Sequence, residues 1–501
     1  MKTPHAAINA RLLAAALAAS LMAPVGPVFA ADDYNLPDLG QPADTAMSPA
    51  EEKKLGAQVV TQLRAQNRII DDPTLNEYIN DVGHRLLAAT DSPNRDVTFY
   101  VINTGDINAF ALPGGYIGVN AGLITATKTE SELASVLAHE LAHVTQRHIA
   151  RQMADSKGDA IATMATALVA AIAGASAGAG QAASAAIMGG MSHLGMQQIA
   201  YTRTHEYEAD RVGIHTLADA GYDAHAMSRF FGTLQRQSDL YGRQPPQILL
   251  SHPVSSTRMA EAEARAAGYP DRATHVDPEY AYMKARVRVL TAQSPNQTRD
   301  YFARERAEHD TPALDYGYAL GLIRTSNEEA AVDLLATGNK TYPDVVAWPL
   351  ALAEAYNQSG AYTQADDVLD DAAKRFPHDD AVALAIADNL FDRGDYRALR
   401  DRLLADPALL DRYPSAQRLL ADAAAKTDDY GEAYYRQARY FAMIGDYPQA
   451  INQLRTALQT GDLSDYNKAR LAALRDQMVS ACHAAWSPQT CQRAVAQNAD
   501  Y

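Results

Sequence analysis

Cysteine is almost absent from this chain, which has only Cys482 and Cys491 among its 501 residues. Because no cysteine precedes Cys482, a hydrolase built on a Cys–His pair is excluded for nearly the whole chain. Basic residues are also scarce: 44 lysines and arginines stand against 60 acidic residues, a net charge of −16. Such a chain offers no basic stripe to neutralise phosphates, which argues against a nucleic-acid partner.

Long apolar runs are missing as well. The run Leu12–Met22 is too short to span a bilayer; it follows a basic leader and precedes a small-x-small sequence that ends at Ala30. This pattern predicts a signal peptide over residues 1–30, followed by a flexible tail over 31–47, and therefore an exported protein. An uncleaved anchor is the alternative. Without a lipobox cysteine, we expect a soluble protein.

The sequence LAHELAH, residues 137–143, places two histidines and a carboxylate on a predicted helix. Residues four apart lie on one face of a helix, so His139 and His143 can direct a ring nitrogen at one cation. Two neutral imidazoles suit Zn²⁺, and Glu140 is near enough to hold a water as general base. The alternative is chance on a solvated face. However, Glu140 lies on an apolar stripe, where a carboxylate without a role is costly.

A catalytic zinc needs a third protein ligand, and RTHEYEADRVG, residues 203–213, offers one. Glu206 and Asp210 share a helix face, so one can bind the metal while the other orients a histidine. His205 is a rival ligand that we expect to be solvated or packed locally. His148 lies one residue too close to the HELAH motif for the metzincin arrangement.

Beyond about Asp310 the sequence changes to helix pairs with a 34-residue period. Small and apolar residues recur at equivalent positions in units that begin at Pro312, Val346, Asp380 and Gly431. The pattern is similar to the tetratricopeptide repeat, whose arrays stack into a superhelix with a concave binding face. A plain helical bundle is the alternative.

HELAH and EYEAD together resemble the gluzincin family of HtpX and the CAAX-prenyl endopeptidases. With the leader and the repeats, the chain from Ser48 onward resembles the BepA-type periplasmic metalloproteases. The resemblance implies one Zn²⁺ per chain, bound by His139, His143 and Glu206, with Asp210 as the orienting carboxylate. It implies an α+β, mostly α fold: a gluzincin metalloprotease domain with a small edge-strand sheet, followed by an α-helical tetratricopeptide-repeat superhelix.

The resemblance implies two further features. His252 matches a loop histidine that can occupy the fourth zinc position as a latch; capping of the next helix is its alternative. An exposed edge strand would pair with the substrate backbone, with a plain hairpin as its alternative. The matching residues are Asn108, Ala109, Phe110 and Ala111. Arg258 or Tyr201 would stabilise the oxyanion, and the sequence does not choose between them.

The expected domains follow from these patterns. They are a zinc metalloprotease domain (48–270), connecting helices (271–310), tetratricopeptide repeats (311–485) and a C-terminal tail (486–501). Residues 159–190 are rich in Ala and Gly and predict a helical hairpin, with membrane contact as an alternative. In an exported chain we expect a disulfide between Cys482 and Cys491; two free thiols are the alternative.

Three functions remain compatible with the sequence. The first is a latent, exported zinc endopeptidase that degrades misfolded or stalled envelope proteins. The resemblance implies a periplasmic location and docking to the outer-membrane assembly machinery through the repeats. The second is a chaperone or scaffold in which a zinc saturated by His252 is structural. The third is a non-proteolytic zinc hydrolase, which no sugar- or lipid-specific feature supports.

Overall fold

The computed structural model describes residues 47–92, 96–155, 202–241, 246–270, 278–459, 463–485 and 491. The expected signal peptide, nearly all of the N-terminal tail, the hairpin at 159–190, Tyr201 and the C-terminal tail apart from Cys491 lie outside these ranges. Within them, no helix is both long enough and apolar enough to cross a membrane.

In the N-terminal part, residues 47–270, helices surround a small sheet. Its strands are β1 (Thr98–Ile102), β2 (Ala109–Leu112) and β3 (Tyr116–Asn120). Its longer helices are α1 (Pro49–Ala65), α2 (Pro73–Ala88), α4 (Glu130–Thr145), α6 (Arg203–Asp219) and α7 (Ala226–Tyr241). The shorter ones are α3 (Ala121–Ala126), α5 (His148–Asp155), α8 (Ile248–Ser251) and α9 (Ser256–Ala266).

The sheet has the strand order β1-β3-β2, with β1 parallel and β2 antiparallel to β3. A Pro-Gly-Gly turn, residues 113–115, joins β2 to β3. Gly114 and Gly115 have φ values of 77° and 90°, a conformation that side chains with a Cβ rarely adopt. Because β3 lies in the middle of the described sheet, β2 forms one of its edges, beside α4.

Helix α4, which contains HELAH, is the central element of the N-terminal part. The Thr129 side chain caps its first turn by accepting from the Glu132 backbone N–H. Every residue from Glu130 to His143 is buried. Helix α6 packs directly on α4 at Gly213, where an added Cβ would lie 3.2 Å from the backbone nitrogen of His139. The missing side chain thus lets the two helices approach closely.

The C-terminal part is a helical array made mostly of antiparallel pairs. It contains α10 (Pro278–Leu290), α11 (Pro295–Glu308), α12 (Pro312–Ile323), α13 (Glu328–Thr341), α14 (Ala347–Gln358), α15 (Tyr362–Arg375), α16 (Asp380–Asp392), α17 (Tyr396–Ala405), α18 (Pro407–Arg412), α19 (Pro414–Lys426), α20 (Tyr430–Met443), α21 (Tyr447–Gln459) and α22 (Asp465–Ala485). Four pairs begin at or next to the four positions where the period places a new unit. The fold is thus mostly helical with one small sheet.

The array contacts the N-terminal part at several points. Arg286 on α10 makes two 2.7 Å bonds to the carboxylate of Asp72, the N-cap of α2. The backbone N–H of Ala381 donates to Glu77 on α2 at 3.1 Å. Near its far end, Gly445 packs against Thr61 of α1. A disulfide joins Cys482 to Cys491.

Candidate metal centre

Four buried side chains from three places in the sequence converge beside α4. His139 and His143 come from α4, Glu206 from the first turns of α6, and His252 from the residue after α8. One donor atom from each lies within 4.8 Å of every other. The structure therefore brings together the three predicted ligands and the predicted fourth one.

The separations between donor atoms fit one small cation. Nε2 of His139 lies 3.1 Å from Nε2 of His143 and 3.3 Å from Nδ1 of His252. Oε1 of Glu206 lies 2.9 Å from Nδ1 of His252 and 3.6 Å from Nε2 of His143. Tetrahedral zinc with bonds of about 2.0–2.2 Å separates its ligand atoms by roughly 3.3–3.6 Å. Two of the four separations lie in this range and two are slightly shorter, so small side-chain shifts would let the donor set hold a divalent ion such as zinc.

Asp210 and Arg258 contact the candidate ligands and hold them in place. Oδ1 of Asp210 lies 3.0 Å from Nδ1 of His139, so Nε2 of that ring is left for the ion. Arg258 donates two 2.7 Å bonds to Asp210 and lies 2.7 Å from Oε2 of Glu206. It also donates to the carbonyl of Pro253 at 2.9 Å. These bonds make Arg258 a positioning group rather than a free donor for an oxyanion.

The charges in the cluster favour cation binding. Burial would raise the pKa of Asp210, but bonds from His139 and Arg258 lower it to about 2. Burial opposes ionisation of Glu206 too, yet His252 lowers its pKa overall. Burial, followed by the neighbouring His139, holds the pKa of His143 well below its usual value. Two ionised carboxylates and a neutral imidazole are the protonation states that a metal needs.

His252 differs from the other candidate ligands. Burial would lower its pKa, but Glu206 and Glu140 raise it to about 9. Binding of an ion by His252 therefore requires the release of a proton. Its other nitrogen, Nε2, lies 3.5 Å from Oε1 of Glu140. It does not cap the next helix, because the Ser255 side chain fills that position on α9.

Glu140 has the properties expected of a buried reactive group. Its side chain is 0% exposed, and neither carboxylate oxygen has a hydrogen-bond donor within the described part of the chain. A buried carboxylate without a hydrogen-bond donor is costly, so its retention beside the cluster needs a reason. A water or an ion between Glu140 and the four donors would supply the missing interaction.

His148 and Glu208 form a network that sequence reasoning missed. Nδ1 of His148 lies 2.8 Å from Nδ1 of His143, and Nε2 of His148 lies 3.3 Å from Oε2 of Glu208. Burial and the nearby His205 lower the pKa of His148 to about 4, so its ring is neutral. His205 is buried and stacks on His148 with ring centroids 4.4 Å apart. Spacing alone gave no signal, because the chain turns between α4 and α5.

The residues considered for substrate pairing lie at one edge of the sheet. Ala109 and Ala111 are buried and Phe110 is half-buried on β2, with Asn108 directly before it. The backbone N–H of Ile248, at the start of α8, donates to the carbonyl of Ile107 at 3.1 Å. The segment that positions His252 thus contacts Ile107, which lies two residues before this edge strand.

Comparisons with known proteins agree with this geometry. The model of Peptidase family M48 matches residues 73–266. The chain is 31% identical over 483 residues to the beta-barrel assembly-enhancing protease of Escherichia coli (strain K12), covering 94% of this chain and 96% of that protein. It is 31% identical over 461 residues to the protein of the same name in Yersinia pestis, covering 88% and 91%.

Proposed function

The chain belongs to the beta-barrel assembly-enhancing proteases of peptidase family M48, and we propose that it is an exported, zinc-dependent endopeptidase of the periplasm. It is a metalloprotease by family; one zinc ion per chain, held by His139, His143 and Glu206, is our proposal. The observation that supports it most is the convergence of these donors beside the buried carboxylate of Glu140, whose oxygens have no hydrogen-bond donor among the described residues.

The side chains around the cluster define the chemistry that we propose. A bound zinc ion would polarise the scissile carbonyl and lower the pKa of a water toward about 7. Glu140 accepts the proton of the attacking water and delivers it to the leaving amine. Asp210 holds the His139 ring, and Arg258 holds the carboxylates of Asp210 and Glu206. The burial of Glu140 keeps bulk water away from that proton.

His252 supports the proposal that the enzyme is latent. Its Nδ1 stands among the donor atoms, where a fourth protein ligand would exclude the reacting water. Its Nε2 faces Glu140 at 3.5 Å, so the same ring also occupies the space beside the general base. One movement of the loop after α8 would clear both positions.

The substrates and partners that we propose follow from the edge strand and the array. An extended chain would add to the free edge of β2, at Asn108–Ala111, and place its backbone beside the ion. We propose that the substrates are misfolded or stalled envelope proteins. The array, interpreted as tetratricopeptide repeats over 311–485, would dock to the outer-membrane assembly machinery, as the names of the relatives suggest.

Glu140→Gln tests the catalytic assignment. The amide keeps the shape of the side chain but cannot accept the water's proton, so we expect cleavage of an unfolded, fluorescently labelled protein to fall by roughly 10²–10⁴-fold. Elemental analysis should show an unchanged zinc content. Glu308→Gln, on an exposed helix end, is the matched control. Measurable cleavage that is equal with and without Glu140→Gln, in the wild-type chain or in the His252→Ala variant, would refute the assignment.

One observation favours a second function. With His252 in place a bound ion would have four protein donors, which is the pattern of a structural zinc site. The protein would then act as a chaperone or scaffold through its array. His252→Ala separates the two functions. Increased cleavage supports the latent protease, whereas full zinc content with no cleavage in both wild type and variant supports the scaffold.

A further inference from the structure

A second imidazole lies directly behind the ring of His143. Nδ1 of His148 is 2.8 Å from Nδ1 of His143, on the side of that ring opposite to the cluster. Nε2 of His148 is 3.3 Å from Oε2 of Glu208, and Arg151 donates to the same oxygen at 3.0 Å. The His148 side chain is 0% exposed. A continuous row of polar contacts thus runs from the candidate ligand on α4 through α5 to α6.

The positions of the hydrogens follow from the chemistry of imidazole. Two ring nitrogens 2.8 Å apart share one hydrogen, so one donates and the other accepts. Nε2 of His143 can offer its lone pair to an ion only if the ring hydrogen is on Nδ1. Nδ1 of His148 must then accept, which leaves the hydrogen of His148 on Nε2. That N–H points toward Glu208, whose carboxylate can only accept.

We propose that His148 is a positioning residue for the metal ligand His143, and that Glu208 fixes the tautomer of His148. This inference rests on the zinc site proposed above and assigns a role to two residues that its chemistry does not use. The other histidine ligand, His139, contacts the carboxylate of Asp210 directly. For His143 the corresponding carboxylate is that of Glu208, which acts through the imidazole of His148.

The surrounding structure holds His148 in this orientation. His205 stacks on its ring at an interplanar angle of 14°. Arg147, the residue before it, has a φ of 52°, which turns the chain so that α5 begins with His148 facing back toward α4. A non-glycine residue in this conformation is uncommon and needs support from its surroundings. Arg147 has it, because its guanidinium donates to the Met47 carbonyl at 2.8 Å.

The proposal is tested by measuring how tightly zinc binds to protein prepared without metal, in competition with a chromophoric chelator. His148→Phe keeps a ring but removes the acceptor, and we expect zinc to bind about 10–100-fold more weakly. His148→Gln offers an amide oxygen in place of Nδ1 and should recover much of that loss. His215→Phe, an exposed histidine on α6, is the matched control and should bind like wild type.

The outcomes separate this inference from the proposed function. Absence of zinc binding by the wild type would refute the zinc site itself. Zinc binding by the wild type with unchanged affinity in His148→Phe would refute only the role of His148, as would equal losses in the Phe and Gln variants. Nitrogen NMR of the zinc-loaded wild type needs no variant that must fold. A hydrogen on Nε2 of His148 supports the proposal, and a hydrogen on its Nδ1 refutes it.

Discussion

A pH titration of stability tests how the helical array is attached to the N-terminal part. Glu77 on α2 accepts a hydrogen bond from the Ala381 backbone at the start of α16. Burial, followed by the charges of Asp379 and Asp380, raises its pKa from 4.5 to about 8. The folded protein thus retains a proton that the unfolded chain loses near pH 4.5. The perturbation is Glu77→Gln, whose amide oxygen can still accept from Ala381.

The sign and size follow from linkage. Because the pKa of Glu77 is raised on folding, its contribution is fully present below about pH 4.5 and is lost as pH rises to about 8. At full burial this shift would correspond to about 5 kcal/mol. Glu77 keeps contact with water, which screens the charges, so we expect about 2 kcal/mol. Roughly half of that should be lost between pH 5 and pH 8.

Urea unfolding of wild type and Glu77→Gln at pH 5 and pH 8 measures this difference. The neutral variant should gain about 1 kcal/mol relative to wild type over that interval, because it has no proton to lose. Glu308→Gln, at the exposed end of α11, should follow wild type at both pH values. Parallel loss of stability in wild type and Glu77→Gln would refute the idea that this carboxyl is protonated in the folded protein.

Two further predictions concern the support of the metal centre. Gly213→Leu should weaken zinc binding at least tenfold in the chelator assay, because the leucine side chain would push α6 away from the His139 backbone. Gly232→Leu, on α7, is the control. Equal losses of zinc affinity in the two variants would refute the reasoning. Arg258→Met should lower the free energy of unfolding of the metal-free protein by about 3–5 kcal/mol, because two buried carboxylates lose their cation. Saturating zinc should reduce that loss by offering Glu206 another partner, and an equal loss with and without zinc would contradict this account.

Much of the site could be predicted because its residues follow helical spacing. His139 and His143 are one turn apart on α4, as Glu206 and Asp210 are on α6, and the structure brings both pairs together. The period of the array similarly placed the helix pairs, since each pair buries small residues at fixed offsets. The position of His252 relied on resemblance, because no local rule places a loop residue against a distant helix.

The contacts of His148 and Glu208 behind His143 were missed for a specific physical reason. His148 was judged by its distance along the chain from His143, as if the helix continued. Arg147 has a positive φ, and the chain turns there, so the ring of His148 points back to His143. Glu208, on the face of α6 away from the candidate ligands, meets His148 because α5 crosses that face. Such contacts depend on tertiary packing that residue spacing does not encode.

The attachment of the array at several separate places has a mechanical consequence. Besides the Arg286–Asp72 pair, one contact joins Ala381 to Glu77, and another joins Gly445 and Tyr447 to Thr61. An array attached at these points cannot rotate as a whole about a single joint. A polypeptide bound to the array, as proposed above, would therefore be held at a fixed distance from the metal centre. The number of residues between the bound segment and the scissile bond would then determine which substrates are cut.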